Sequence, residues 1–161
     1  MRKQKGFSLI ELLIVVAIIL IIAAIAIPNL LRSRMAANEA SAVGSIRSIN
    51  TSQVTYASTY PETGFAASLG ALGGTPGGTA TSAAAQLLDP VLGCTTMPCQ
   101  KSGYQFTIQN TSGTPVVTYE VIGTPITTGQ TGQRGFFSDA SGVIRYKSDG
   151  SAPTTADSAL Q

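Results

Sequence analysis

The chain has 161 residues, of which 43% are hydrophobic and 11% are charged, and it contains no histidine. This length accommodates one modest domain together with a long helix, and the lack of histidine excludes Ser–His and Cys–His catalytic pairs. The formal net charge is +2, but three of the ten basic residues lie within residues 1–6, which leaves seven Lys and Arg against eight Asp and Glu. The chain therefore has no basic patch that would indicate direct binding of nucleic acid. Because it also lacks histidine, we expect neither an enzyme nor a cofactor.

A long apolar stretch follows the basic leader, residues 1–6. From Phe7 to Ile27 there are 21 residues with one charge, and as an α-helix they span about 30 Å, the hydrocarbon thickness of a bilayer. This run is longer than the apolar part of an ordinary secretory signal. The positive leader places the N-terminus on the cytoplasmic side. We therefore predict a transmembrane or filament-core helix over 7–28 and export of the bulk of the chain.

One carboxylate, Glu11, lies about one turn inside this apolar helix. A charged side chain in a membrane segment is costly and usually marks function, although Glu11 is close enough to the headgroups to reach them. A plain signal anchor explains everything except this residue. Cleavage between Gly6 and Phe7 would create an α-amine that is mostly protonated at neutral pH. That amine could pair with Glu11 of a neighbouring subunit, an attraction of about 4 kcal/mol at ~4 Å and an effective dielectric constant of ~20, before desolvation is subtracted.

The segment resembles the class III signal of type IV prepilins and of type II secretion pseudopilins. In that family a basic leader ends in glycine, the next residue is usually phenylalanine, and a glutamate lies four residues further on. These residues are Gly6, Phe7 and Glu11 here, and Pro28 matches the helix-bending proline of the family. The resemblance implies that an aspartyl prepilin peptidase cuts after Gly6 and methylates the Phe7 amine, and that Phe7, Glu11 and Pro28 act in assembly. It covers residues 1 to about 35 by motif, and the remainder only by architecture.

After Pro28 the pattern becomes amphipathic, and the helix is predicted to continue. Apolar residues recur at helical spacing up to Tyr60, and only Gln53 interrupts them. We predict one helix from about residue 8 to residue 58, with segment 29–60 as its amphipathic second half beneath a globular head. Pro28 removes one intrahelical hydrogen bond and is expected to kink it. The charged residues of this half lie mostly off the apolar stripe: Arg32, Arg34, Glu39 and Arg47.

Segment 61–102 is predicted to be a loop region. Residues 70–85 are nearly all Gly, Ala, Thr and Ser, which bury little apolar area and indicate an exposed loop, and residues 86–90 are expected to add a short helical turn. Cys94 and Cys99 enclose four residues. Two cysteines in an exported domain favour a disulfide over a metal site, which would need further Cys or His ligands. The bridge is expected to pin this loop locally.

Alternating polar and apolar residues predict an antiparallel sheet within 103–147. A turn is expected at Asn110–Gly113, and Val117, Tyr119 and Val121 are expected to share one face. Because four short strands are not stable alone, we expect them to pack on Val43, Ile46, Ile49 and Tyr56 of the helix. The pattern leaves the strand order open. Four strands are predicted: 104–108, 116–122, 135–138 and 143–147.

The predicted fold class is therefore α+β, with a long N-terminal membrane-spanning helix packed against a small antiparallel sheet, as in pilins. The remaining segment, 148–161, is polar and is predicted to be a mobile tail. Asp139 and Asp149 are weak calcium candidates, because oxygen ligands suit calcium and the resemblance includes calcium-binding pseudopilins, but both lie in ordinary turn sequences. We therefore expect no metal. Two N-glycosylation patterns, at Asn50 and Asn110, are interpreted as chance.

Three classes of function are compatible with these features. The leading interpretation is a structural subunit of a type IV pilus, cut after Gly6 and polymerised with itself through its N-terminal helix. The alternatives are a pseudopilin of a type II secretion system or a minor or tip pilin, and more distantly a membrane-anchored exported enzyme or binding module. The expected partners are prepilin peptidase, the inner-membrane assembly machinery and the lipid bilayer. The chain would lie in the inner membrane as a single pass with a cytoplasmic N-terminus, and then in an extracellular pilus or a periplasmic pseudopilus.

Overall fold

The structure, a computed structural model, describes residues 6–160, which fall into two units that divide between Arg34 and Met35. Most of the predicted leader, residues 1–5, and the last residue of the predicted tail, Gln161, lie outside the described residues. The elements in chain order are α1 (Leu9–Thr59), α2 (Leu69–Leu72), β1 (Cys99–Lys101), β2 (Tyr104–Ser112), β3 (Thr118–Pro125), β4 (Gly135–Asp139) and β5 (Arg145–Lys147).

The helix α1 confirms the predicted long helix, and its bounds differ from the predicted ones by one residue at each end. It continues through Pro28, which lacks the N–H that an interior helical residue donates. At its C-terminal end, Tyr60 still donates its backbone N–H to the Tyr56 carbonyl at 2.8 Å, and Gly64 then adopts a φ of 77°. This left-handed conformation suits glycine and turns the chain away from the helix.

The five strands form one antiparallel sheet in the order β1-β2-β3-β4-β5, so each strand pairs with the next one along the chain. The sequence predicted four of them. The missed strand, β1, has only three residues and lies in the segment that was predicted as loop. A run this short shows no alternation of its own, because its pairing with β2 defines it. The arrangement confirms the predicted α+β class.

Each of the four predicted strands differs from the prediction at one boundary or more: β3 ends at Pro125 and β4 at Asp139, and β5 begins only at Arg145. β2 continues to Ser112, through the expected turn, because a shift of register between Gln109 and Ser112 lets it keep pairing with β3. Asn110 takes a left-handed φ of 51° within this irregularity. β3 begins at Thr118, so Val117 does not share the buried face of Tyr119 and Val121, and its side chain is 60% exposed.

The core of the second unit lies between α1 and the sheet. Ile46, Ile49 and Tyr56 are fully buried and Val43 nearly so, which confirms the four predicted helix contacts. Gly123 on β3 allows the close approach, because a Cβ there would lie 3.0 Å from the Phe106 ring and 3.3 Å from Ile46. Burying each large apolar side chain contributes about 1.5–3 kcal/mol. The sheet supplies buried side chains to this core from four strands, β1 to β4: Cys99, Tyr104, Phe106, Ile108, Tyr119, Val121 and Phe136.

The predicted loop region contains more buried structure than its composition indicated. Residues 70–72 belong to α2, whose Leu69 and Leu72 are buried, so exposure is continuous only over residues 75–83. Residues 86–90 do not form the expected helical turn. The turn lies later, where the Asp89 carboxylate accepts hydrogen bonds from the Val91 and Leu92 backbones at 3.0 and 3.2 Å.

The segment after β5 returns along the sheet instead of leaving it as a tail. Tyr146 donates its backbone N–H to Ser158 at 3.0 Å, and Leu160 donates to Ile144 at 2.7 Å. Phe137 points to the face of the sheet opposite the helix, yet it is only 1% exposed. The groove beside it is lined by residues 152–155, which indicates that this returning segment covers the Phe137 ring.

Candidate functional site

The start of α1 carries a helix cap built from Ser8 and Glu11. Glu11 Oε2 accepts a 2.9 Å hydrogen bond from the Ser8 backbone N–H, and the Ser8 carbonyl accepts from Leu12 at 3.2 Å. The sequence Ser-x-x-Glu is that of a capping box, in which the glutamate satisfies the N–H of the capping residue. Glu11 therefore has a role within its own helix. The sequence prediction gave Glu11 only a role between subunits and missed this capping role, although the spacing of Ser8 and Glu11 indicates it.

Gly6 and Phe7 lie ahead of the helix, and both are exposed. The Phe7 side chain is 82% exposed. A Cβ added to Gly6 would meet no atom within 4 Å, and its φ lies outside the left-handed region. The fold leaves residue 6 free of packing constraints, so a requirement for glycine at this position would come from a partner that binds the segment.

Along the first unit, α1 presents apolar side chains on every side. Each large apolar side chain from Leu9 to Leu31 is between 44% and 75% exposed. The helix is long and apolar enough to cross a membrane. A helix that is apolar all round is stable in lipid or among other helices. This apolar surface is therefore expected to be buried in a bilayer or against other chains.

Pro28 is exposed within this unit. Its missing N–H removes the hydrogen bond to the residue four positions earlier, and an interior proline costs a helix about 3 kcal/mol relative to alanine. The helical conformation in the first half of α1 is therefore least stable around Pro28.

The predicted disulfide is present. Cys94 and Cys99 are bridged, with their Cα atoms 5.6 Å apart. Cys99 is buried at the start of β1, whereas Cys94 is half-buried in the loop that precedes it. The bridge thus ties this loop to the first edge strand of the sheet.

The two weak calcium candidates accept hydrogen bonds within the turns that contain them. Asp139 Oδ1 accepts hydrogen bonds from the Ser141 backbone and hydroxyl, and Asp149 does the same with Ser151. Asp149 also lies 3.6 Å from the Lys147 ammonium. Within residues 6–160, no group of three or more His, Cys, Asp or Glu side chains is arranged to hold a metal.

The two glycosylation patterns lie in different environments. Asn50 is half-buried, donates to the Ser138 hydroxyl at 2.8 Å and accepts from the Tyr119 hydroxyl at 3.2 Å. Its side chain therefore joins α1 to the sheet. Asn110 is exposed, and it donates to the Glu120 carboxylate at 2.6 Å.

An ion pair that the sequence prediction missed joins α1 to the loop before β4. Glu39 is 8% exposed, and Oε2 accepts from Arg134 Nε at 2.8 Å. Oε1 accepts from the Gln133 and Arg134 backbones at 2.9 and 3.1 Å. The Arg134 guanidinium also lies 5.6 Å from the centre of the Phe136 ring and 5.5 Å from that of Tyr146. Glu39 precedes Ala42 and Ile46 at helical spacing, so this spacing could have placed it on the buried stripe.

This environment changes the acidity of two groups. Burial acts to raise the pKa of Glu39, but the hydrogen bonds from Gln133 and Arg134 outweigh it and hold the pKa below the usual glutamate value. Burial, reinforced by the nearby Glu39 charge, raises the pKa of Tyr104 well above its usual range. The Tyr104 hydroxyl donates to the Arg134 carbonyl at 2.8 Å. The contacts of Glu39, Tyr104 and Arg134 therefore hold α1 against the sheet and the loop before β4.

Comparisons with known proteins match the N-terminal region to a defined motif. Residues 1–27 match the family model described as the prokaryotic N-terminal methylation motif. The chain is 67% identical over 39 residues to the type IV wide pilus major component PilA4 of Thermus thermophilus, which covers 24% of this chain and 30% of the relative. It is 43% identical over 54 residues to the type IV major pilin protein PilA of Myxococcus xanthus, which covers 34% of this chain and 24% of the relative. Each match thus spans less than a third of the relative's length, and no solved structure is detectably similar to the chain.

Proposed function

This chain has the N-terminal methylation motif of the type IV pilin superfamily and the α+β arrangement of a pilin-like protein, and from that premise we propose that it is a structural subunit of a type IV pilus. In this proposal the chain is cut between Gly6 and Phe7, the new Phe7 amine is methylated, and the subunit polymerises with its own copies through α1. The two curated relatives are described as a pilus component and a pilin, which supports a structural role over catalysis.

The observation that carries this proposal is the uncovered apolar surface of α1 from Leu9 to Leu31. In the bilayer lipid tails cover this surface, and in a filament neighbouring helices would cover it. Lipid tails are about as apolar as leucine side chains, so transfer from one cover to the other loses little hydrophobic stabilisation. The same helix can therefore serve first as a membrane anchor and then as the core of a polymer.

Glu11 would make this transfer depend on processing. In the uncut chain the nitrogen of Phe7 belongs to a neutral amide, whereas cleavage makes it a cationic amine. The hydrogen bond from Ser8 occupies one oxygen of the Glu11 carboxylate, Oε2. Among residues 6–160 the other oxygen accepts no hydrogen bond. It would pair with the Phe7 amine of a neighbouring subunit, and this pairing would set the axial register of the filament. The exposed Pro28 would allow α1 to open locally when helices crowd together.

This function requires the partners and locations that the motif implies. Prepilin peptidase would act on the exposed segment around Gly6, and the inner-membrane assembly machinery would draw the processed subunit out of the bilayer. The chain would begin as a single pass in the inner membrane with a cytoplasmic N-terminus and end in an extracellular pilus.

The intact mass of the chain, measured in filaments sheared from cells and in the membrane fraction, tests the proposal. We expect abundant protein in the sheared fraction that lacks residues 1–6 and carries one additional methyl group. The processed mass confined to the membrane would contradict a major pilus subunit and favour a type II secretion pseudopilin or a minor pilin. An uncut chain in both fractions would overturn processing altogether and leave a signal anchor.

A further inference from the structure

The two arginines of the first unit lie where its apolar surface ends. The large apolar side chains that are exposed on every side of α1 run from Leu9 to Leu31, and Arg32 and Arg34 follow at once. As an α-helix, the stretch 9–31 is about 34 Å long, and the hydrocarbon core of a bilayer is about 30 Å thick. When this stretch spans a bilayer, both arginines therefore reach the layer of the lipid headgroups.

Arg32 and Arg34 lie on opposite sides of the helix at almost the same level. Successive residues of an α-helix are about 100° apart around its axis, so two residues separated by one position differ by about 200°. Both side chains are exposed, and within residues 6–160 neither belongs to an ion pair. A partner protein on one side of the helix would meet one of the two charges, whereas lipid headgroups surround a helix that spans a bilayer. The placement of the two charges therefore favours headgroups as the partner.

The distribution of charge along the first unit favours an anionic partner. The sequence has no charged residue between Glu11 and Arg32, so the two arginines are far from the carboxylate of this unit. The leader carries three basic residues at the other end of the span, and cleavage after Gly6 would remove them. Arg32 and Arg34 would then be the basic side chains that remain beside the apolar stretch. A guanidinium is always charged, and its planar fork of donors matches the oxygens of a phosphate group.

We propose that Arg32 and Arg34 bind the headgroups of anionic phospholipids on the exported side of the membrane, and that this contact holds the processed subunit at a fixed depth before it enters a filament. The inference rests on the proposed function, because it requires that α1 spans the inner membrane with a cytoplasmic N-terminus. The aliphatic part of each arginine stays on apolar surface while its charge reaches the headgroups. Basic side chains close to an anionic membrane surface are attracted to it within about one Debye length.

The first test measures which lipid surrounds the arginines. The chain contains no tryptophan, so Leu31→Trp places a single indole beside Arg32, at a position that is 48% exposed. The full-length variant is reconstituted in vesicles of equal parts phosphatidylglycerol and phosphatidylcholine, and bromine on the acyl chains of one lipid or the other quenches the indole. We expect brominated phosphatidylglycerol to quench more strongly, as for an enrichment of the anionic lipid around the indole of about two- to fivefold. Equal quenching by the two lipids would overturn the proposal.

Neutral variants of the same Leu31→Trp chain identify the residues responsible. Arg32→Gln combined with Arg34→Gln should remove the preference for the anionic lipid, and each single change should remove part of it, because the two side chains contact different lipids. Arg47→Gln is the matched control, since it removes an exposed arginine of the same helix that belongs to the second unit, and it should leave the quenching unchanged. A preference that survives in the double variant would overturn the proposal, and so would an equal loss in the control.

The vesicle measurement requires no filaments, so it separates this proposal from the proposed function. Indole emission typical of water in every vesicle would show that the stretch does not enter the bilayer, which overturns this proposal and the membrane step of the proposed function. A lipid preference in a chain that is absent from sheared filaments would support the lipid contact and contradict only the pilus. If the double variant keeps the lipid preference and yields fewer sheared filaments, the arginines bind acidic side chains of another subunit and the lipid proposal is wrong.

Discussion

Glu39 on α1 and Arg134 ahead of β4 are 95 residues apart in the chain, and their side chains meet at 2.8 Å. The Glu39 carboxylate also binds two backbone N–H groups of the same loop, so one helical side chain orients the approach to β4. Within the second unit Asn50 also joins the helix to the sheet, through Ser138 and Tyr119, whereas Gln53 joins the helix to the segment around Ala66.

Glu39→Gln should lower the free energy of unfolding of the detergent-solubilised chain by about 1.5–3 kcal/mol, because hydrogen bonds to a charged acceptor lose strength when the acceptor becomes neutral. Urea denaturation followed by circular dichroism measures this. Glu62→Gln is the matched control, since Glu62 is exposed and should change stability by less than about 0.5 kcal/mol. Equal effects of the two variants would show that the ion pair contributes nothing specific.

The same residue predicts how stability depends on pH. The pKa of Glu39 is lower in the folded chain than in the unfolded one, so its contribution is complete above the ordinary glutamate pKa of about 4.3 and is lost as the pH falls through the folded value. The free energy of unfolding should therefore be flat near neutrality and fall below about pH 5. The Glu39→Gln variant should lose less stability over this acid range than the wild type. Parallel curves for the two proteins would contradict this assignment.

Gln53→Leu should lower the free energy of unfolding by about 1–3 kcal/mol. The fully buried Gln53 amide donates to the Ala66 carbonyl at 2.9 Å and accepts from the Ala66 N–H at 2.8 Å, so leucine would leave both backbone groups without these partners. Thermal melting measures the loss. Thr55→Val removes a hydroxyl that donates to the Thr51 carbonyl on the exposed side of the same helix, and it should change the free energy of unfolding by less than about 0.5 kcal/mol.

Reduction of the Cys94–Cys99 bridge should have a local effect. A bridge across so short a loop removes little chain entropy, so its loss should cost no more than about 2 kcal/mol. Hydrogen exchange should rise over residues 94–101, and exchange in the buried part of α1 should stay unchanged. The Cys94→Ser, Cys99→Ser chain is the control, since it cannot respond to the reductant. Exchange that rises throughout the sheet would show that the bridge stabilises the whole second unit.

Two substitutions at Glu11 separate its two roles. Glutamine can still accept the Ser8 N–H and keeps the capping box, whereas alanine cannot. Both remove the charge that the Phe7 amine of a neighbour would need. We expect Glu11→Gln and Glu11→Ala to enter the membrane and to be absent from sheared filaments. Assembly of the glutamine variant at wild-type level would show that capping, not charge, is the role of Glu11.

Part of this protein follows from local sequence. A run such as Phe7–Ile27 needs apolar surroundings whatever the rest of the chain does, so the long apolar helix could be predicted from composition and length alone. The helical stripe of Ile46, Ile49 and Tyr56 could be predicted for the same reason, since helical periodicity depends on neighbours three and four residues apart. The disulfide followed from the presence of only two cysteines in a chain that the sequence predicted to be exported.

The remaining features are decided by contacts between distant residues. The three residues of β1 become a strand only beside β2, and the segment after β5 is ordered by Ile144 and Tyr146 and not by its own polar composition. Glu39 lies at helical spacing with the buried stripe, but a charged residue is seldom buried alone, and only Arg134 and the loop backbone make its burial favourable. A polar or flexible segment can thus be buried when another part of the chain satisfies its hydrogen bonds. Local sequence does not identify that partner. The tertiary structure alone therefore decided the number of strands, the course of the C-terminal segment and the contact of Glu39 with the loop before β4.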